Sequence, residues 1–551
     1  MNSLGVVLLA MVAQGDSQAV LRRAQRAQAE FELSRWARLP SGRGHPARCD
    51  PRRGVHIGRF CYWNDGSAVA PPPEPSAIGV SRRRLLQVLD SAAAVLPGDD
   101  WIAGQRVRYF VEGGQPQAAL TASRDCRADI WWCEALAGFA LHAAGDTPAA
   151  DSAYGAALRD MPRDERCRWS DLSLLVTGRL RERYRRQTCE QRATLEARLW
   201  WLAQPLLARP GNDRRVEHYA RQTMARMVER ARTLFALGFG ADLRELIVRY
   251  GWPIAWVREP AGAGMSERGV VGHDREPAYH FLPDDTEEAG AAQIEAPGSA
   301  ELYAPAYAAV FVTLDPQIVA FRRGDSTLVV AAYDVRADTL FHSRRLAAAL
   351  VLARAETDSM VVERRAVVEP NGILIAVAPW PARLASLEVT TEPRAAGRAR
   401  VAFAARAPDA QRLGLSDLLV FDPPDSLPGD LAGVLPHVLR TTAVPRGASL
   451  GLYWEVYGLA PGEPAAVSVS VQPLRSSVLK RVAESFGLVT PAPPLELRWE
   501  ERMHVQSGVA PRALEIDVST LPPGRYRLGV AVAAAGRDPA AARREIRVVQ
   551  R

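Results

Sequence analysis

The stretch GFALHAAGDTPAADSAYGAALRDMP, residues 138–162, decides how the first half of the chain folds. Apolar residues keep the three-and-four spacing of a helix face on both sides of the break Gly145-Asp146-Thr147-Pro148. A break of that kind joins two antiparallel helices. Small residues at Gly138 and Ala150 let the two backbones approach closely, Gly145 and Thr147 make the turn, Tyr154 fills the groove, and Pro162 ends the second helix. Working outward, helical spacing also marks about 82–96, 101–112, 115–126, 131–144 and 147–160. A weaker copy of the hairpin lies 31 residues upstream, with Gly114 at its turn and Ala119 at its close contact. Further helices are expected at 168–186, at 190–204 and at 213–235, with Pro205 and Pro210 separating the last two and Asn212 or Asp213 capping the third.

The register of Gly138, Leu141, Gly145, Ala150, Tyr154, Ala157, Leu158 and Pro162 resembles the tetratricopeptide repeat over residues 82–162. The resemblance implies two repeat units packed with neighbouring helices into one α-domain, residues 82–237, whose concave face binds a protein partner. Trp131, Trp132 and Tyr154 are the candidate binding residues, and Trp200 and Trp201 extend the set. Aromatic residues at helical spacing serve more often as core than as a groove lining.

A second signature follows at once. Residues 238–253 read GFGADLRELIVRYGWP, and an upstream helix carries Asn212, Glu217-His218-Tyr219 and Arg221. The set resembles a divergent member of a bacterial domain named for its GWxTD motif. Gly238, Asp242, Tyr250, Gly251 and Pro253 match that signature, while Phe239, Ala241 and Leu243 depart from it. The resemblance covers about residues 180–260. It implies an exported bacterial protein with appended β-domains and supplies no catalytic residue. From the residues alone, LRELIVRY reads as a buried strand opened by the Gly238-Phe239-Gly240 turn. Gly251 would permit an unusual backbone angle after it, Pro253 would stop it, and Asp242 would accept backbone N–H bonds.

From about residue 301 the pattern changes from helix to strand. VVAAYDV, ILIAVAP, SLEVTTEP, ARVAFAAR and DLLVFDP are short β-type runs punctuated by Pro, Gly and Asp. They predict an antiparallel, immunoglobulin-like sandwich over 301–421, after an irregular segment (254–283) and an acidic linker (283–300). A second sandwich is expected over 441–551 after a linker at 422–440. Its closing run alternates Tyr526, Leu528, Val530 and Val532 toward one face. The architecture expected is therefore multidomain, α and then β.

The other end of the chain bears on compartment. The apolar run Leu4–Ala13 is too short to span a bilayer and suits a secretory signal at 1–13. Residues 14–60 then hold ten Arg (22, 23, 26, 35, 38, 43, 48, 52, 53 and 59) against Asp16, Glu30, Glu32 and Asp50. That balance of +6 accounts for most of the chain's net +7. Such a segment suits an anionic envelope surface; its aromatic residues are not interleaved with the Arg run in the way nucleic-acid surfaces favour, which disfavours nucleic acid. A Pro-, Gly- and Ser-rich linker is expected at 64–81. All six cysteines (Cys49, Cys61, Cys126, Cys133, Cys167 and Cys189) precede residue 190. In an exported chain they favour disulfides, and neighbour pairing gives 49–61, 126–133 and 167–189.

No cofactor or metal is expected. The cysteines lack CxxC and ligand-spaced His, and no Walker A or HExxH is present. His218, His273 and His280 are the conceivable metal set, but Glu217 and His218 point to different helix faces. A Glu217–Arg221 i,i+4 pair is the structural alternative. The leading functional expectation is a non-enzymatic exported protein that binds protein partners or scaffolds the envelope. The alternative is a hydrolase with a site at the GWxTD-like segment and loop 254–283, for which Asp242, His218 and His273 are the residues to test.

Overall fold

The computed structural model describes residues 3–41, 54–63, 72–258, 270–273, 279–283, 303–308, 310–342, 345–356, 360–391, 395–403, 412–474 and 495–550. Two compact units divide the chain, one of residues 1–287 with 294–310 and the other of 288–293 with 311–551.

The first unit opens with α1 (Ser3–Arg38), which runs straight through the boundary expected at residue 13. The hairpin β1 (Gly54–Ile57) and β2 (Phe60–Trp63) follows. Then come α2 (Ser76–Val95), α3 (Asp100–Glu112), α4 (Pro116–Arg124), α5 (Ile130–Ala143) and α6 (Thr147–Asp160). α2 begins inside the expected linker because Pro75 presets its first turn and Ile78 is buried. The hairpin turns are as read: Gly114 and Gly145 have φ of +70° and +80°, and a Cβ on Gly138 would sit 2.9 Å from the Tyr154 ring. Asp146 caps α6 by accepting from Ala149 N.

The helix expected at 168–186 is two. α7 (Arg163–Ser170) and α8 (Gly178–Arg185) are separated by a turn in which the Asp171 carboxylate accepts from Ser173 N. α9 (Cys189–Ala203) begins with a Thr188–Gln191 capping box. Disulfides Cys126–Cys133 and Cys167–Cys189 join residues 7 and 22 apart. Cys49 lies outside the described residues, so its proposed pairing with Cys61 does too.

α10 (Asp213–Glu229) stops short of residue 235, and 13 of its 17 residues are buried. It is the central helix of the unit. Its Met227 carbonyl accepts from Gln105 of α3 at 2.6 Å. Its Arg226 lies over Trp131 and Trp132 of α5 at 4.8 and 4.9 Å, and its Tyr219 ring packs 5.7 Å from Tyr154 of α6.

The run read as a strand is α11 (Ala241–Tyr250). Leu243, Ile247, Val248 and Tyr250 are buried at helical spacing, so the apolar run has period 3.6, not 2. Gly238-Phe239-Gly240 accordingly opens a helix, and Gly251 ends it with φ +89°. The segment read as irregular contains a hairpin, β3 (Ala255–Arg258) with β4 (Val270–His273). The acidic stretch 284–300 and Asp274 lie outside the described residues.

Buried charge joins α1 to α3. Arg108 is fully buried and donates to Glu32 and Glu112 at 3.1 and 2.8 Å. Arg35 donates to Glu112 at 2.7 Å, and Tyr109 to Glu32 at 2.5 Å. The arginine-rich start is thus partly core, which the charge count alone did not indicate.

The second unit holds two sandwiches. The first consists of β5 (Val310–Thr313), β6 (Gln317–Arg323), β7 (Ser326–Asp334), β8 (Leu346–Ala353), β9 (Val361–Val368), β10 (Asn371–Pro379), β11 (Leu384–Thr391) and β12 (Ala395–Ala402). Its sheets run β10-β7-β6 and β5-β12-β11-β8-β9. The second comprises β13 (Gly414–Leu415), β14 (Leu419–Phe421), a short α12 (Leu431–Val434), β15 (Ala443–Pro445), β16 (Ser449–Tyr457), β17 (Pro464–Pro473), β18 (Leu495–Arg502), β19 (Val509–Asp517), β20 (Gly524–Ala534) and β21 (Ala540–Val549). One of its sheets centres on β16, flanked by β13, β14 and β19, and the other runs β15-β21-β20-β17-β18. DLLVFDP, read as the end of the first sandwich, belongs to the second, because Leu419 pairs with Tyr453.

Both sandwiches have the immunoglobulin-like order. Counting from β6 and from β15, the second and fifth strands pair in one sheet (β7 with β10, β16 with β19), and the last two strands stand beside the third and fourth in the other. Tyr526, Leu528, Val530 and Val532 face the core as the alternation predicted. The Tyr526 hydroxyl donates to the Pro522 carbonyl at 2.8 Å, a tyrosine-corner contact. Between the sandwiches, Gln317 donates to the Val420 and Leu439 carbonyls and accepts from Val420 N. Arg323 grips the buried Glu455 with two bonds at 2.5 and 2.8 Å.

Candidate functional site

The two halves of the GWxTD-like signature interlock. Arg221 of α10 donates to the carbonyls of Val248 and Arg249 at 3.3 and 2.6 Å, closing the C-terminal end of α11. Its Nε donates to Glu217 at 2.7 Å, the i,i+4 pair expected from spacing. His142 stands 3.0 Å from the other Glu217 oxygen. The nearby Arg221 guanidinium keeps the buried Glu217 carboxyl well below the ordinary range despite its desolvation. Gly251 fits because of its φ of +89°, since a Cβ there would meet the Arg221 Nε only at an ordinary contact distance of 3.4 Å.

At the other end of α11, Asp242 is held by Arg59. The Asp242 Oδ2 accepts from Arg59 Nε and N at 2.6 and 3.1 Å, and Oδ1 accepts from Arg59 Nη2 at 2.7 Å and Leu243 N at 2.8 Å. Those bonds, chiefly the one to the Arg59 side chain, hold the carboxyl far below its usual value. Gly58 and Gly240 permit the contact, since Cβ atoms there would lie 2.5 Å from Asp242 Cβ and 2.9 Å from its Oδ1. Asp242 does accept backbone N–H bonds, in a helix's first turn rather than before a strand. It supplies the anion that this helix N-terminus favours. Tyr250 stacks on Tyr62 with ring centroids 3.7 Å apart.

Asn212 caps α10, accepting from Arg215 N at 3.0 Å while its amide donates to the Trp200 carbonyl at 2.7 Å. His218 is fully buried with Nε2 against the Trp169 carbonyl at 2.9 Å. Burial, reinforced by Arg214, drives its pKa down to about 3, so it stays neutral. The described partners of His218 and of Asp242 are separate sets, and the structure does not bring the two together. His280 is 4% exposed. The His273 side chain lies outside the described residues, and no metal-holding group of His, Cys, Asp and Glu occurs among those described.

The expected concave binding face is occupied by the chain itself. Trp131, Trp132 and Tyr154 are 5, 2 and 1% exposed, and α10 covers the two tryptophans. Trp200 and Trp201 are buried as well. The physical reason is the one that makes such stripes ambiguous: an apolar groove is as good a seat for the chain's own helix as for a partner's.

Sequence reasoning missed a cleft of about 210 Å³ between α6 and α9, floored by α10. Asp151 and Arg215 pair at one end of it at 2.7–2.9 Å. Glu196 lines it too, and Tyr184 donates to that carboxyl at 2.6 Å. Burial pushes the Glu196 pKa up to about 7. Nothing in a sequence window pairs α6 with α9, so no local signal pointed there. Arg59 was counted only as charge, although it is the partner of the motif aspartate.

No family model and no curated protein matches the chain. Solved structures match it at low identity. The chicken CNTN1 FN1–FN3 domains are 10% identical, with 43% of this chain and 66% of that one covered and a TM-score of 0.15. Escherichia coli alpha-2-macroglobulin activated by porcine elastase is 12% identical, covering 42% and 22%, with a TM-score of 0.15. Red sea bream transglutaminase is 10% identical, covering 57% and 44%, also at 0.15. The chain spans less than two thirds of the length of each.

Among the described residues no helix is long and apolar enough to cross a membrane.

Proposed function

We propose that the protein is an exported, non-enzymatic scaffold of the bacterial envelope, held to an anionic surface by α1 while its sandwiches engage a protein partner. The observation that carries this reading is the division of labour along α1. Arg35 turns inward to the ion network, and Arg22, Arg23, Arg26 and Arg38 are exposed. An inner face locked in the core holds the outer cations in a fixed row. Each arginine near an anionic leaflet contributes about 1 kcal/mol.

Other features support the reading. Two disulfides fit an oxidising compartment, and the GWxTD-like signature implies export with appended β-modules. The strand β10, at the edge of its sheet, carries exposed Ile375 and Val377, the kind of edge that pairs with another chain. His218 and Asp242, the candidate hydrolase residues, are bound in structural contacts.

The test is co-sedimentation with phosphatidylcholine vesicles, with and without phosphatidylglycerol. The intact protein is expected to pellet only with the anionic vesicles, and Arg22→Glu/Arg23→Glu/Arg26→Glu to stay in solution. Equal recovery with both vesicle types, or by the variant, would overturn the proposal.

A further inference from the structure

The cleft between α6 and α9 has chemistry of its own, independent of the α1 surface. Asp151 and Arg215 satisfy each other there. Glu196 is in a different state: one oxygen accepts from the Tyr184 hydroxyl, and among the described residues no cation is bonded to it. One further residue that lines the cleft, Trp200, has an indole N–H without a hydrogen-bond partner among the described residues. Trp200 is more than nine-tenths buried, at 4% exposure. A buried donor without an acceptor costs about 1–3 kcal/mol, which a ligand carrying that acceptor recovers.

Glu196 and Trp200 are four apart on α9, so they share one helix face with Cβ atoms about 5–6 Å apart. One amino-acid residue, about 3.8 Å between Cα atoms, bridges a gap of that order. The volume equals about seven waters, enough for a residue or two and no more. An anion, an aromatic floor and an unpaired N–H donor together suit an ammonium followed closely by a carbonyl.

We propose that this cleft binds the free amino terminus of a peptide, with the α-ammonium on the Glu196 carboxylate and the first carbonyl accepting from Trp200 Nε1. Binding needs the ionised carboxyl. The charged and titratable groups around it are Tyr184 on α8, Arg192 on α9, Asp171 in the turn between α7 and α8, Tyr219 on α10, and Asp151 and Arg215 across the cleft. Affinity is therefore expected to weaken as pH falls below 7.

Calorimetry on the intact chain decides the matter with alanyl-alanine amide and its N-acetyl form as probes. The free-amine peptide is expected to bind at millimolar concentration and the acetylated one at least tenfold more weakly. Glu196→Gln should lose at least tenfold, and Ala197→Phe, at an exposed position on the cleft wall, should abolish binding with the melting temperature retained. If Glu196→Gln does not fold, Ala197→Phe carries the test. Equal binding of the acetylated peptide, undiminished binding by the folded variants, or no heat with the free-amine peptide would each overturn the assignment.

Discussion

At the scale of single residues, two glutamates titrate in opposite directions, and their signs give opposite pH dependences. Burial raises Glu196 to about 7, so folding favours its neutral form. Below the unfolded value, about 4.3, it contributes nothing; as pH rises through 7 the fold bears the cost of ionising it. Glu196→Gln should stabilise the helical unit by about 2 kcal/mol at pH 8 and change little at pH 4, as read by thermal melts at both. Glu112 is the reverse. Arg108 and Arg35 outweigh its desolvation and lower it to about 2. Its contribution is complete above the unfolded value and is lost as pH falls through 2. Glu112→Gln should cost about 3 kcal/mol at pH 7, where it breaks a buried pair, and much less at pH 2. A cost that does not depend on pH would contradict the network.

Among the elements, α10 and α11 show where local reading succeeds and where it stops. The hairpin around Gly145 was legible because its signals, small residues and turn glycines, act within one helix pair. The 241–250 run was misread because eight apolar and charged residues fit either period, and the deciding facts are distant. Arg221 caps its far end and Arg59 holds its first turn, 28 residues upstream of one acceptor and 183 of the other. Only Gly251 signalled a terminus correctly, and it does so for a helix. With φ +89° and ψ 179° it occupies a region open almost solely to glycine. Gly251→Ala should cost about 1–3 kcal/mol in denaturant unfolding. The Cys167–Cys189 bridge, closing 22 residues, should be worth about 3 kcal/mol by chain entropy. Cys167→Ser/Cys189→Ser measured beside the oxidised protein checks that value.

For the whole molecule, the order α then β and the alternation of the last strands were legible, whereas the sandwich boundary was not. β14 looks like any short apolar strand, and only its pairing with β16 assigns it to the second sandwich. The joint between the sandwiches rests on Glu455, 2% exposed, which accepts from Arg323, Tyr453 and Tyr457. Glu455→Ala strands those donors and should destabilise the β unit by about 3 kcal/mol, visible as a lower or split second transition in calorimetry. The other molecule-scale result concerns the surface left for partners. α10 fills the groove that the repeat-like helices would have offered, and the outward arginines of α1 stand exposed. The most direct measurement is a titration of the intact protein with phosphatidylglycerol vesicles across ionic strength. The affinity is expected to drop by about tenfold or more as the screening length shrinks from about 10 Å at 0.1 M salt to about 3 Å at 1 M. The drop should vanish in Arg22→Glu/Arg23→Glu/Arg26→Glu, which should bind weakly at every salt concentration. Binding that ignores salt, or that survives the three reversals unchanged, would contradict the proposed role of α1.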